Sequence, residues 1–116
     1  MPDTRPFSVE RGSDPRGQVV RLRGEATVDQ VERLRSSLRA VCEGKPRRVV
    51  LDLAELTFIN SDGLGALLEF RRDLVRSGAV LRLAGANPDI AEMFKKTRLV
   101  EVFPMYQTAD AAMGAT

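Results

Sequence analysis

The feature that most constrains the fold is an almost unbroken apolar run, Val49-Val50-Leu51-Asp52-Leu53, rich in β-branched residues. A strand with one wet face alternates apolar and polar residues, whereas a strand covered on both faces does not. This run therefore predicts a central strand with helices packed against the sheet. Helical periodicity before and after it favours an α/β domain with parallel strand pairs.

The segments before this strand predict a hairpin and a helix. Residues 7–11 and 18–23 predict two antiparallel strands joined by a turn over 12–17. Thr27 and Gln30 have the spacing of a capping box that begins the helix. We expect Gly44 to end the helix as a left-handed C-cap. The predicted buried face consists of Val28, Val31, Leu34, Leu38 and Val41.

The segments after the central strand predict a loop through Thr57, Phe58 and Ile59, then a second helix from the Asn60–Gly63 turn to about Ser77. That helix is expected to bury Leu64, Leu67, Leu68, Leu74 and Val75. A strand over 79–84, a third helix begun by Asn87-Pro88-Asp89, a strand over 99–103 and a short helix over 108–113 complete the order. We therefore expect one domain over residues 1–116, with its core at about 7–113. Its mixed sheet has four to five strands, an N-terminal antiparallel hairpin and about four helices.

Composition excludes several classes of function. The 116 residues include no histidine and one cysteine, Cys42, so His-based triads, most metal sites and an intrachain disulfide are not expected. The net charge is +2, and the arginines are interleaved with acids without nearby aromatic residues, which favours a solvated face over nucleic-acid binding. No apolar run approaches a membrane span and no signal peptide is evident, so we expect a cytoplasmic protein. We expect neither an enzyme nor a cofactor or metal requirement.

The candidate site is the turn Asn60-Ser61-Asp62-Gly63, where the central strand meets the second helix. Ligands bind at the carboxyl ends of strands in open α/β sheets, and helix N-termini favour anions. Gly63 and Gly65 only partly match a dinucleotide fingerprint, and a phosphate loop and a nucleophile elbow are both absent from the sequence. For an arbitrary protein, the usual role of Ser61 here would be that of an N-cap.

The stretch Leu51-Asp52-Leu53-Ala54-Glu55-Leu56-Thr57-Phe58-Ile59-Asn60-Ser61-Asp62-Gly63-Leu64-Gly65 resembles the signature of STAS domains, named for sulfate transporters and anti-sigma factor antagonists. Two further segments, Leu22-Arg23-Gly24-Glu25-Ala26 and Leu83-Ala84-Gly85-Ala86-Asn87-Pro88, resemble the elements before the family's first and third helices. The resemblance covers nearly the whole chain in the same element order, so it implies the STAS fold.

For stand-alone members, the resemblance implies a non-enzymatic anti-sigma factor antagonist controlled by serine phosphorylation. The expected phosphorylation site is Ser61. The expected partner surface is Asn60, Ser61, Asp62, Gly63 and Leu64 with the exposed side of the second helix. The implied partners are an anti-sigma factor that is also a serine kinase, and a PP2C-type phosphatase. Two other hypotheses remain: an unphosphorylated scaffold in a transporter or signalling assembly, and a domain that binds a nucleotide or small ligand at the Gly63/Gly65 helix terminus.

Two residues of the turn depart from the family pattern. Asn60 stands where the family often has Asp, and Asp62 stands where Ser, Thr or Ala is common. The Asp62 carboxylate would repel a phosphate on Ser61, whereas the helix N-terminus would attract it by a comparable ~1 kcal/mol. The two effects on a phosphate at Ser61 oppose each other.

Overall fold

The computed structural model describes residues 6–115, which form a five-stranded sheet with helices on both faces. The strands lie side by side in chain order; β1 and β2 are antiparallel and the other neighbours are parallel. The strands are β1 Ser8–Asp14, β2 Gly17–Ala26, β3 Arg48–Ile59, β4 Val80–Ala84 and β5 Met105–Tyr106. The α-helices are α1 Val31–Glu43, α2 Ser61–Arg76, α3 Pro88–Lys96 and α4 Ala109–Gly114. The predicted mixed α/β fold is confirmed.

The strand β3 is central, as its apolar run predicts. Val49, Leu51 and Leu53 belong to the main core, which includes the buried faces of α1, α2 and α3. Val50 belongs instead to a smaller cluster with Ala84 of β4 and residues of α4. Because successive side chains of a strand point to opposite faces, both faces of β3 are covered by helices.

Two arginines hold the C-terminal end of α4 against the sheet. Arg48 donates a hydrogen bond to the Met113 carbonyl at 2.7 Å, and the buried Arg82 donates to the carbonyls of Ala112 and Ala115 at 3.1 and 2.8 Å. The last carbonyls of a helix lack partners within the helix, so these guanidinium groups satisfy them and match the negative end of the helix dipole. None of the helices within residues 6–115 is long and apolar enough to cross a membrane.

The hairpin turn is tighter than predicted. Asp14 pairs with Gly17, so only Pro15 and Arg16 connect the strands, and the predicted turn over 12–17 is wrong at its first residues. The Asp14 carboxylate accepts hydrogen bonds from the Arg16 side chain and backbone amide, which lower the pKa of Asp14. Gly12 and Ser13 extend β1 because the antiparallel ladder continues to the turn.

The prediction for the start of α1 is also wrong. Thr27 makes no side-chain cap, and a short 3₁₀ turn over Val28–Gln30 precedes the helix. This turn directs Val28 away from the core, where it is 70% exposed, while the other four predicted apolar residues of α1 are buried. At the other end of α1, the predicted left-handed C-cap at Gly44 is also wrong. Gly44 has φ −73°, and the next residue, Lys45, takes the left-handed conformation with φ 50°.

A strand over residues 99–103 is not observed. Leu99–Glu101 forms a 3₁₀ turn, and β5 follows at Met105–Tyr106. The buried Phe103 packs edge to face on Phe94 of α3, with ring centroids 5.8 Å apart. The apolar residues of this segment therefore stabilise a helical turn against α3, which a short apolar pattern cannot distinguish from a strand.

Candidate functional site at the β3–α2 junction

β3 continues through Thr57, Phe58 and Ile59, which corrects the predicted loop. The pairing between β2 and β3 shifts register twice and still reaches Ala26 opposite Ile59. The Asn60 amide then donates to the Ala26 carbonyl at 3.2 Å. The turn is thus fixed to the carboxyl end of β2, and α2 begins directly after the sheet.

The N-cap of α2 is Asn60. Its backbone is extended, with φ −86° and ψ 178°, and its Oδ1 accepts a hydrogen bond from the Gly63 amide at 2.7 Å. A capping side chain satisfies one of the free amides of the first helical turn. The capping role considered for Ser61 is therefore performed by Asn60.

Ser61 and Asp62 are the first two residues of α2, and both are exposed. The Ser61 hydroxyl lies at the positive end of a helix of 16 residues. An attached phosphate would find favourable electrostatics there, and Asp62 places a carboxylate in the same first turn.

Gly63 is required by close packing inside the turn. An ideal Cβ on Gly63 would lie 2.6 Å from Cγ1 of Ile59 and 3.3 Å from Oδ1 of Asn60. The next residue, Leu64, is half-buried against the main core. The structure thus brings the five predicted residues together in one turn, with Ser61 and Asp62 outward and Gly63 inward.

The outer face of α2, defined here as Ser61, Gly65, Leu68 and Arg72, follows helical spacing from the candidate serine. The buried face consists of Gly63, Ala66, Leu67, Phe70 and Leu74. Leu68 was predicted to be buried but is 39% exposed, and Val75 is 53% exposed. Leu68 and Phe70 are two residues apart and so lie on opposite faces of the helix. Because Phe70 is buried, the helical period alone predicts that Leu68 faces the solvent.

Two further exposed apolar residues lie at this end of the sheet, and the sequence analysis did not identify either as part of the site. Phe58 is 45% exposed and pairs with Glu25, two residues before the turn. Val28 follows the end of β2, to which Asn60 is hydrogen-bonded. Contiguous exposed apolar surface is typical of protein-binding sites, so these two positions are candidates for partner contact. The position of Phe58 in the sequence, between the central strand and the turn, could have indicated that it belongs to the site.

Other candidate groups have structural roles. Asp52 is buried in β3 and accepts hydrogen bonds from Nε of Arg21 at 3.1 Å and from the Ala54 amide at 3.0 Å. Glu55 also lies in β3 and forms an ion pair with Arg23. Residues 6–115 contain no group of three or more Cys, Asp or Glu residues that could hold a metal ion.

The single cysteine is placed for packing. Cys42 is partly buried on α1 and contacts the main core. Burial, together with the charge of Asp73, raises the pKa of the Cys42 thiol. The thiolate is the nucleophilic form, so the raised pKa argues against a reactive cysteine at this site.

A cavity of about 560 Å³ lies beside α3 and β5. Gly85, Ala86, Ala91, Lys95 and Tyr106 are among its lining residues, and none of the lining residues belongs to the turn. This cavity therefore gives no support to the hypothesis of a nucleotide or small-ligand site at Gly63 and Gly65.

Known proteins resemble the chain over most of its length. A STAS domain family model matches residues 9–112. A Bordetella bronchiseptica protein provisionally named anti-sigma factor antagonist BtrV is 32% identical over 94 residues, which cover 81% of each chain. The crystal structure of an anti-sigma factor antagonist from Mycobacterium paratuberculosis matches with a TM-score of 0.85 and 25% identity, over 97% of this chain and 94% of that chain. The Bacillus cell fate determinant SpoIIAA in its phosphorylated form shares the fold, with a TM-score of 0.71 and 24% identity over 93% of this chain and 96% of that one.

Proposed function

The chain belongs to the STAS domain family, and on this basis we propose that it is an anti-sigma factor antagonist controlled by phosphorylation of Ser61. In this proposal the unphosphorylated protein binds an anti-sigma factor and thereby releases a sigma factor. Phosphorylation of Ser61 by that partner ends the interaction, and a PP2C-type phosphatase restores it. The domain itself is regulatory rather than catalytic.

The observation that supports the proposal best is the separation of the cap from the serine. Asn60 satisfies the Gly63 amide, so the exposed Ser61 hydroxyl is not needed to begin α2. A hydroxyl that the fold does not use can be modified without loss of the helix. Relatives named as anti-sigma factor antagonists support the choice of partner class.

The exposed apolar residues around the serine suggest how binding would occur. Leu68 exposes 39% of its surface on the outer face of α2, and Phe58 exposes 45% of its surface three residues before Ser61 in β3. We propose that the anti-sigma factor covers these side chains and gains binding free energy from their burial. Ser61 then lies inside the contact rather than at its edge.

Phosphorylation would oppose this contact through charge. A phosphate adds about −1.5 to −2 charges at neutral pH. Enclosing that charge without matched cations costs several kcal/mol, and every ~1.4 kcal/mol changes affinity tenfold. Since the phosphate lies at the positive end of α2, the helix itself remains stable. The modification would therefore change docking without unfolding the domain.

The phosphoryl donor belongs to the partner in this scheme. The sequence contains no Gly-Lys-Ser/Thr phosphate loop. The kinase would supply ATP and Mg²⁺, and Ser61 would supply only the acceptor oxygen.

The test compares Ser61→Ala and Ser61→Asp with the wild type. We expect Ser61→Ala to bind the anti-sigma factor kinase in the presence of ATP as tightly as in its absence. We expect Ser61→Asp to lose binding by about 100-fold. Burying its carboxylate in the interface costs free energy, and every ~1.4 kcal/mol of that cost lowers affinity tenfold. Calorimetry measures both affinities, and mass spectrometry after incubation with the kinase and ATP locates the phosphate.

Ser36→Asp is the matched control, because Ser36 is an exposed serine on α1. It should bind like the wild type. Equal binding by Ser61→Asp and the wild type, or phosphate found on a residue other than Ser61, would contradict the proposal.

A further inference from the structure

We infer that Gly65 is a contact residue of the docking surface: its missing side chain lets the anti-sigma factor approach the backbone of α2 beside Ser61. The inference rests on the proposed function and adds a named contact to it. It follows from a difference between the glycines of this chain. Some are explained by the fold, whereas Gly12 and Gly65 are not, and of these two only Gly65 lies one helical turn from Ser61.

Gly63 and Gly85 have clear structural reasons. A Cβ on Gly63 would lie 2.6 Å from Ile59, and Gly85 has φ 74° with Ala54 Cβ 3.1 Å from its own ideal Cβ. A side chain at Gly63 would clash, and one at Gly85 would be tightly packed on Ala54 in a backbone conformation that disfavours it.

Gly65 has neither reason. No heavy atom lies within 4 Å of its ideal Cβ, and it lies inside α2 with ordinary helical geometry. Glycine is the least favourable residue for a helix interior apart from proline. The fold would therefore accept alanine here with a gain in stability, and the space above Gly65 is left open at a cost to the helix.

The open space lies within the proposed docking surface. On a helix, Gly65 neighbours Ser61 one turn before it and Leu68 one turn after it. Ser61 is exposed and Leu68 is 39% exposed, so a side chain at position 65 would project between the serine and an apolar contact residue. We assign this space to an apolar surface of the anti-sigma factor that packs directly on the α2 backbone.

The test uses Gly65→Ala and Gly65→Gln in the full chain, with the purified anti-sigma factor kinase of the same organism as the probe. Overpacking a close contact predicts a loss of affinity of about tenfold for alanine and about 100-fold for glutamine. The melting temperature of both variants should equal or exceed that of the wild type, because both residues favour helix more than glycine.

Gly12→Gln is the matched control. Gly12 also has no heavy atom within 4 Å of its ideal Cβ, and it lies on β1 opposite Val19, which pairs with Val50 of β3. Val50 is nine residues of strand from Ile59, roughly 30 Å from the docking surface at 3.3 Å per residue. This variant should bind like the wild type.

The outcomes separate the two levels of the proposal. If the wild type binds the kinase and the affinity of Gly65→Gln is within twofold of the wild-type affinity, the role of Gly65 is overturned. The proposed function is then unaffected. A melting temperature of Gly65→Ala below that of the wild type also overturns it, because the glycine would then serve the fold. If the wild type does not bind the kinase, the proposed function fails and the role of Gly65 fails with it.

Discussion

The N-termini of α2 and α3 are built alike and differ at two positions. The sequences are Asn60-Ser61-Asp62-Gly63 and Asn87-Pro88-Asp89-Ile90. In each, the asparagine Oδ1 accepts the amide hydrogen bond of the third helical residue, at 2.7 and 2.8 Å. An acidic residue occupies the second helical position of both helices, where it favours the helix dipole.

The shared residues show what a strand-to-helix junction in this chain requires, and the differences show what is added. The third position follows packing: it is glycine against Ile59 in α2, and a buried isoleucine in α3. The first position has no such constraint, since proline and serine both suit the first turn of a helix. The serine at this free position is what distinguishes the proposed docking junction from the α3 junction.

The strongest test of this comparison gives the α2 junction the first helical residue of the α3 junction, with Ser61→Pro. Proline is favoured at the first helical position, and the extended Asn60 backbone already suits a residue before proline. We expect a melting temperature within about 4 °C of the wild type, which corresponds to ~1 kcal/mol or less for a domain of this size. Phosphorylation by the anti-sigma factor kinase should be lost completely.

Thermal unfolding and mass spectrometry give the two measurements for Ser61→Pro. Circular dichroism should also show that the Ser61→Pro variant is folded and keeps its helix α2. A large loss of stability would show that serine is part of the junction's structure, and continued phosphorylation would place the acceptor at another residue.

The next test compares the two caps, which are equal in their Oδ1 contacts and differ in a second bond. Asn87 also donates from Nδ2 to the Leu56 carbonyl at 3.0 Å, which ties the start of α3 to β3. Asn60→Ala should cost about 1 kcal/mol, as is usual for a lost cap. Asn87→Ala should cost about 2 kcal/mol, because a further hydrogen bond is lost and a carbonyl is left without this partner.

Urea unfolding measures the difference between the two caps. Asn87→Ser is the control, because serine keeps a capping oxygen and removes the Nδ2 donor; its loss should fall between zero and that of Asn87→Ala. Equal losses for Asn60→Ala and Asn87→Ala would mean that the bond to Leu56 contributes nothing to stability.

The sequence predicts best where one local rule decides the structure. The central position of β3, the Asn87-Pro88-Asp89 start of α3 and the buried residues of α1 from Val31 onward follow from burial, capping and helical period. Prediction fails where tertiary contacts decide. Residues 57–59 stay in the sheet because β2 continues beside them, and residues 99–103 form a turn because Phe103 packs on Phe94.

The candidate site divides in the same way. Its location follows from the strand end and the order of elements, and the resemblance to STAS domains indicates Ser61. The assignment of the cap to Asn60 needed the structure, because Asn60, Ser61 and Asp62 are all good capping residues. The exposure of Phe58 also needed it, because the strand irregularities before the turn cannot be read from apolar spacing alone.

The smallest expected effect concerns the acidic residues at the second helical position. It tests whether Asp62 only stabilises the helix or also repels a phosphate on Ser61. Asp62→Asn and Asp89→Asn should each reduce stability by about 0.3–1 kcal/mol at low salt, and by less at high salt, if both acids act only on the helix dipole. The two losses should be equal, because both side chains are exposed in the first turn of their helices. Phosphorylated Ser61 adds a second negative group beside Asp62, so phosphorylation should raise the melting temperature more in Asp62→Asn than in the wild type. The same shift in both proteins would show that Asp62 does not repel the phosphate, and that Asp62, like Asp89, acts only on its helix.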